Sequence, residues 1–190
     1  ELADQHGCPV DLHIDEAASH PAAGVRQLLR VLESMSLSVP VTCSHASSLS
    51  LLSAGSLQRL ATRMARQNLQ VVALPLTNGW LLGHRDNETP LRRPLAPIRQ
   101  LQRAGVSVAV GGDNVQDPWF PGGRLDPLAL IAMCLPLAQL APWDDHGMKP
   151  FGTDAARLMG LAWDGCLRAG APADLIHLPE AGWPELLAMA

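Results

Sequence analysis

Helix and strand alternate four times along this chain, and that alternation limits its fold more than any other feature. Cys8 to His13 is a short apolar run, and the stretch after it has helical periodicity from about Gly24. Residues 38–45 (SVPVTCSH) are the next β-rich run. Residues 56–68 then place Leu57, Leu60, Ala61 and Met64 on one helical face. Residues 69–76 (LQVVALPL) read as a third strand. Residues 94–105 read as a helix with Pro in its first turn and Gly105 at its stop. Residues 106–113 (VSVAVGGD) read as a fourth strand, broken by two glycines. Apolar strands separated by helices predict an α/β fold with a parallel, helix-covered sheet. Four such units make half of a (β/α)8 barrel or a small open doubly wound sheet. A helix pair over 126–140 and 153–161 is expected next, then a turn into one more strand over 169–179.

Composition narrows the function classes. The 190 residues suffice for one domain with a sizeable core, and 47% hydrophobic against 17% charged residues excludes disorder. A net charge of −4 argues against a nucleic-acid groove or a polybasic membrane patch, and without Tyr a stacking platform for single strands is not expected. Cys8, Cys43, Cys134 and Cys166 lie far apart, so they read as buried thiols of a reducing, cytoplasmic setting. No apolar run reaches 18 residues, so no membrane-spanning helix is expected, and none of the chain reads as a signal peptide. The chain begins at Glu1 rather than Met and is expected to be a piece of a longer protein.

The polar residues fall in register with the strands. His13, His45, Asn78 and Asp113 each lie at or just after a predicted strand's C-terminal end, the rim where barrels build their sites. In DLHIDE (11–16), His13 and Asp15 share a strand face while Glu16 falls in the loop beyond. That pattern fits a metal ligand with a nearby proton-transfer carboxylate, and equally a capped strand end. His45 is either a catalytic imidazole or a structural one, with Ser47 or Ser48 free to cap the next helix. VGGDNVQDPW (110–119) is the most specific stretch: two glycines, then Asp113 and Asn114 at the rim. His6, His20, His146 and His177 have no partner pattern. The 78–94 loop, with His84 and Arg85, is long enough for a lid, and Arg92 and Arg93 in it read as salt-bridge partners.

In order, these motifs are HxDE, SH, PLxN with a downstream GxRD and RR, GGDNxxDPW and ADLIxLP. Over about residues 8 to 180 the series resembles the metal-dependent amidohydrolase superfamily, in particular its cytosine deaminase-like branch. The resemblance implies the C-terminal half of a (β/α)8 barrel over residues 1–165, with residues 166–190 returning to a small β-sandwich. It implies one divalent metal ion, Zn or Fe, held by His13 and Asp113. Glu16 would shuttle a proton between ring nitrogen and leaving group, His45 would polarise the attacking oxygen, and Asp113 would take the water's proton. Asn114 and Trp119 would sit beside the substrate. The implied reaction is hydrolytic deamination of a cyclic amidine such as cytosine, hydroxide attacking the amine-bearing carbon, by a homo-oligomer that binds neither nucleic acid nor membrane.

The chain departs from the family pattern in three places. The family's H-x-H ligand pair matches nothing in the 190 residues, so two further metal ligands must come from elsewhere. Asn114 stands where cytosine deaminases carry a carboxylate, and Pro94 stands where Gly is common. The Asn114 departure keeps other rings in play, among them N-alkylamino-s-triazines, isocytosine and creatinine-like compounds, and a non-catalytic remnant of the fold is the remaining alternative. Residues 1–190 expressed alone are expected to aggregate or oligomerise through unpaired apolar strand edges.

Overall fold

The computed structural model describes residues 1–35, 37–144, 146–179 and 182–189. Its centre is a four-stranded parallel sheet of β1 (Val10–Ile14), β2 (Val41–His45), β3 (Gln70–Ala73) and β4 (Ser107–Val110). The spatial order equals the sequence order, β1-β2-β3-β4. A doubly wound sheet reverses its order at a switch point, whereas a barrel adds each strand beside the last. The architecture is therefore that of consecutive barrel units, with β1 and β4 as the sheet's edges.

The connecting helices follow from their apolar spacing. The short α1 (Leu2–Gln5) precedes β1. On α2 (Ala23–Leu32), Val25, Leu29 and Leu32 are buried one turn apart. On α3 (Ala54–Arg66), Leu57, Leu60, Ala61 and Met64 are buried, as their spacing predicts. Helix α5 (Ile98–Arg103) buries Ile98 and Leu101, and Gly105 beyond it has φ +90°, a left-handed stop that glycine accepts freely. These residues join Cys43, Val71 and Val108 of the strands in one hydrophobic cluster. Leu29 is fully buried there, so Leu29→Ala is expected to lower the unfolding free energy by about 2–5 kcal/mol, read as a shifted denaturation midpoint.

The opposite face of the sheet is largely polar, with Val72 and Ala109 the apolar members of the row that holds Ser44. Asp11, His13, Thr42, Ser44, Gln70 and Ser107 alternate with the core residues along their strands, and the register sets them side by side. Ser44 Oγ donates to Asp11 (2.8 Å), and Thr42 Oγ1 donates to Gln70 Oε1 (3.3 Å).

Several boundaries differ from the sequence expectation for identifiable reasons. β3 stops at Ala73 because Pro75 opens a helix, α4 (Pro75–Leu81), at the position where a missing N–H costs least. α5 begins at Ile98 rather than 94, since Pro94 and Pro97 hold the preceding residues extended. Helix α6 (Pro127–Ala138) is capped by Asp126, which accepts from Leu128 N–H, and α7 (Thr153–Leu158) ends three residues earlier than expected. No ladder forms over residues 171–178, where a further strand was expected: none of the four strands offers it a partner. The last helix, α8 (Trp183–Met189), packs against α6. Cys43 and Cys134 are buried thiols, burial pushing both up to about 12, but Cys8 and Cys166 are exposed, contrary to expectation.

Candidate active site

The ends of β1, β2 and β4, which carry His13, Glu16, His45 and Asp113, are turned by left-handed backbone. Asp15 has φ 55°, His45 φ 74°, Ala46 φ 52° and Asp113 φ 61°. A non-glycine residue pays about 1–2 kcal/mol for this conformation, and such strain concentrates at functional sites. Its effect is clearest at His45. Strict alternation puts residue 45 with Val41 and Cys43 on the helix-facing side of β2. The left-handed turn at His45 and Ala46 breaks that alternation, and the His45 ring lies against the His13 ring with centroids 4.0 Å apart.

Glu16 lies between these imidazoles. Its Oε2 is 3.0 Å from His13 Nε2, and its Oε1 is 3.3 Å from His45 Nδ1. Ligating atoms of His13, Glu16 and His45 all fall within 4.8 Å of one another. Their exposure is graded: the His13 side chain is 70% accessible, Glu16 25% and His45 4%. The structure thus brings together three of the expected residues. Asp113 follows β4 in an exposed turn outside this cluster, close enough for its charge to act on His45.

Burial lowers the His45 pKa from 6.5, with the Glu16 charge opposing and His13 adding to the shift. Between 6.5 and the lowered folded value, the unfolded chain binds the proton more readily, so stability falls as pH drops through that window and levels off below it. Denaturation midpoints from about pH 8 to 5 should show this slope in the metal-free protein, and His45→Gln should remove it.

Several of the residues singled out in the sequence have partners that the sequence did not declare. Asp15 does not share the face of His13. Its turned backbone directs the carboxylate to α2, where it accepts from Gly24 N–H (3.0 Å) and Val25 N–H (2.7 Å). Asn114 is tied down: its Nδ2 donates to Asp117 Oδ2 (2.6 Å), and its backbone N–H donates to Thr77 Oγ1 (3.2 Å). Asp117 also accepts from the N–H groups of Trp119 and Phe120, and these bonds, the Asn114 amide foremost, hold its carboxyl below the usual range. Trp119 is exposed on this braced turn. Ser47 and Ser48 do not cap the following helix: Ser48 Oγ accepts from Ala22 N–H, and Ser47 donates to Asn78. Arg93 donates to the Gly79 carbonyl at the end of α4 rather than to a carboxylate.

A sheet of consecutive barrel strands, its polar site at their C-terminal ends, defines the class: a (β/α)8-type architecture. The chain belongs to the amidohydrolase family, which its residues 1–189 match. It is 27% identical to the pterin deaminase of Rhizobium rhizogenes over 96% of this chain and 42% of that protein. The structure of 5-methylcytosine deaminase from Klebsiella pneumoniae with 5-fluorocytosine superposes with a TM-score of 0.79 at 25% identity, over 99% of this chain and 46% of that one. N-isopropylammelide isopropylaminohydrolase from Burkholderia multivorans superposes with a TM-score of 0.64 at 26% identity, over 85% and 38% of the two chains. The chain therefore spans less than half the length of these relatives. No helix among the described residues is long and apolar enough to cross a membrane.

Proposed function

We propose that the complete protein hydrolyses an exocyclic C–N bond of a nitrogen heterocycle, releasing ammonia from a ring of the cytosine or pterin kind. The observation that carries this reading is Glu16, held at the rim against His13 on one oxygen and beside His45 on the other. The similarity to a pterin deaminase and a 5-methylcytosine deaminase supports the ring class.

The donor set suits a divalent metal. Two imidazoles and a carboxylate converge within 4.8 Å, nitrogen and oxygen ligands of the hardness that zinc and iron accept. Of that group His13 would hold the ion, joined by Asp113, which follows β4 outside it, and by further ligands from outside these residues; Glu16 and His45 would stand beside it as proton carrier and hydrogen-bond donor. When bound, such an ion would lower the pKa of water toward about 7.

This chain's own residues carry the proton traffic. Asp113 accepts a proton from the attacking water. Glu16 takes that proton on and delivers it to the ring nitrogen beside the reacting carbon, then takes the hydroxyl proton of the tetrahedral adduct and delivers it to the departing amine. His45, buried and neutral, donates a hydrogen bond to the developing oxyanion. A C–O bond forms, the C–N bond breaks, and one water is consumed for each ammonia released.

Ammonia release by the metal-loaded complete protein, tested on cytosine, isocytosine, creatinine, an aminotriazine and a pterin, decides the reading. Release from one of them supports it and names the ring. Silence on all five with metal bound overturns it in favour of a different leaving group, such as the alkylamine named for the Burkholderia relative. Asn114→Asp is expected to raise KM several-fold or more, since it sets a second carboxylate against Asp117 and loosens the turn that bears Trp119. An unchanged KM on every ring would remove Asn114 from substrate binding.

A further inference from the structure

β3 brings no titratable side chain to the rim, yet the helix that follows it reaches every other strand end. Thr77 and Asn78 of α4 are polar and buried, 1% and 0% exposed. Thr77 Oγ1 accepts the Asn114 N–H of the β4 loop. Asn78 Nδ2 lies 3.1 Å from Glu16 Oε1 of the β1 loop and 3.1 Å from Nδ1 of His45 at the end of β2. Asn78 Oδ1 accepts from Ser47 Oγ, itself fully buried.

The chemistry of these partners fixes the orientation of the amide. An ionised carboxylate only accepts, so Asn78 must turn its NH2, not its oxygen, toward Glu16. That amino group has two hydrogens and two acceptors in reach. Glu16 Oε1 can take one and His45 Nδ1 the other, and the 3.3 Å between those two atoms then needs no proton of its own. With Nδ1 accepting, the neutral His45 ring carries its hydrogen on Nε2.

We propose that Asn78 is a positioning residue that clamps Glu16 and sets the His45 tautomer, leaving Nε2–H as the donor. The proposal rests on the reaction described above for its catalytic consequence, but its structural half stands apart from that reaction.

The test has two arms. Side-chain 15N NMR of the metal-free complete protein, with His45 assigned by loss of its signals in His45→Gln, is expected to show an unprotonated Nδ1 and a protonated Nε2. Asn78→Asp keeps the shape but offers oxygen where the amide offers hydrogen, and should move the proton to Nδ1. In the metal-loaded protein, Asn78→Asp and Asn78→Leu should lower kcat by about 100-fold with KM within about three-fold. A wild-type Nδ1–H tautomer, an unchanged tautomer in Asn78→Asp, or unchanged kcat in a folded variant would overturn the proposal. If both variants fail to fold, the wild-type spectrum alone decides. Silence of the wild type on every ring would remove the deaminase reading while the spectra still decide the role of Asn78.

Discussion

Glu16→Gln in the complete, metal-loaded protein is expected to lower turnover by about 10²–10⁴-fold, the range a positioned proton-transfer group supplies. The replacement keeps side-chain length and polarity, so packing around a residue only a quarter exposed should survive. An amide, however, cannot carry a proton from water to a ring nitrogen. One end of the Gln amide must also present N–H where Glu16 presents only oxygens, toward either His13 Nε2 or Asn78 Nδ2. Metal content should stay at the wild-type level, because the proposed ligands are His13 and Asp113. Single-turnover rates and elemental analysis on one preparation separate these effects. A variant with near-normal turnover would take Glu16 out of proton transfer, and one that lost its metal would make Glu16 a ligand.

His13→Ala should produce the reverse pattern. Removing a ligand is expected to weaken metal binding by about 100-fold or more, beyond the 10–100-fold typical of groups one step removed from the ion. The fold should hardly notice. The His13 side chain is 70% accessible, on the polar face of an edge strand, and exposed substitutions away from caps and cores usually change stability by within about 0.5 kcal/mol. Metal retained after dialysis and thermal melting of the metal-free protein read the two effects independently. Full retention of metal would sink the ligand assignment. A large loss of stability without metal would instead make His13 a structural residue.

Much of the fold was legible because hydrophobic period is a local property. Leu57, Leu60, Ala61 and Met64 declare one face of α3, Val25 and Leu29 declare α2, and Gly105 marks the end of α5 where a left-handed residue is needed. The strands declare themselves as short apolar runs that end in polar residues. What the pattern left open was whether four units follow a barrel's order or reverse, since each helix-strand unit reads the same in both; the ladder β1-β2-β3-β4 decides it. The requirement for Gly24 was equally hidden: a Cβ there would run into Ile14 Cγ1, a contact between elements ten residues apart.

The same division runs through the site. By itself the sequence determined which chemistry the rim can offer: His13, Glu16, His45 and Asp113 at or just beyond strand ends, in an order that resembles one hydrolase family. Only the tertiary structure decided which of those groups come together. Asp15, alternating with His13 in the sequence, turns away to hold α2, whereas His45, on the wrong parity, turns in. Asn78 gains its partners from residues 31, 33 and 62 positions away. The reason is physical. Residue type and period are fixed by covalent order, but a left-handed φ at one residue redirects a side chain, and a buried amide is oriented by whichever donors and acceptors the fold sets around it.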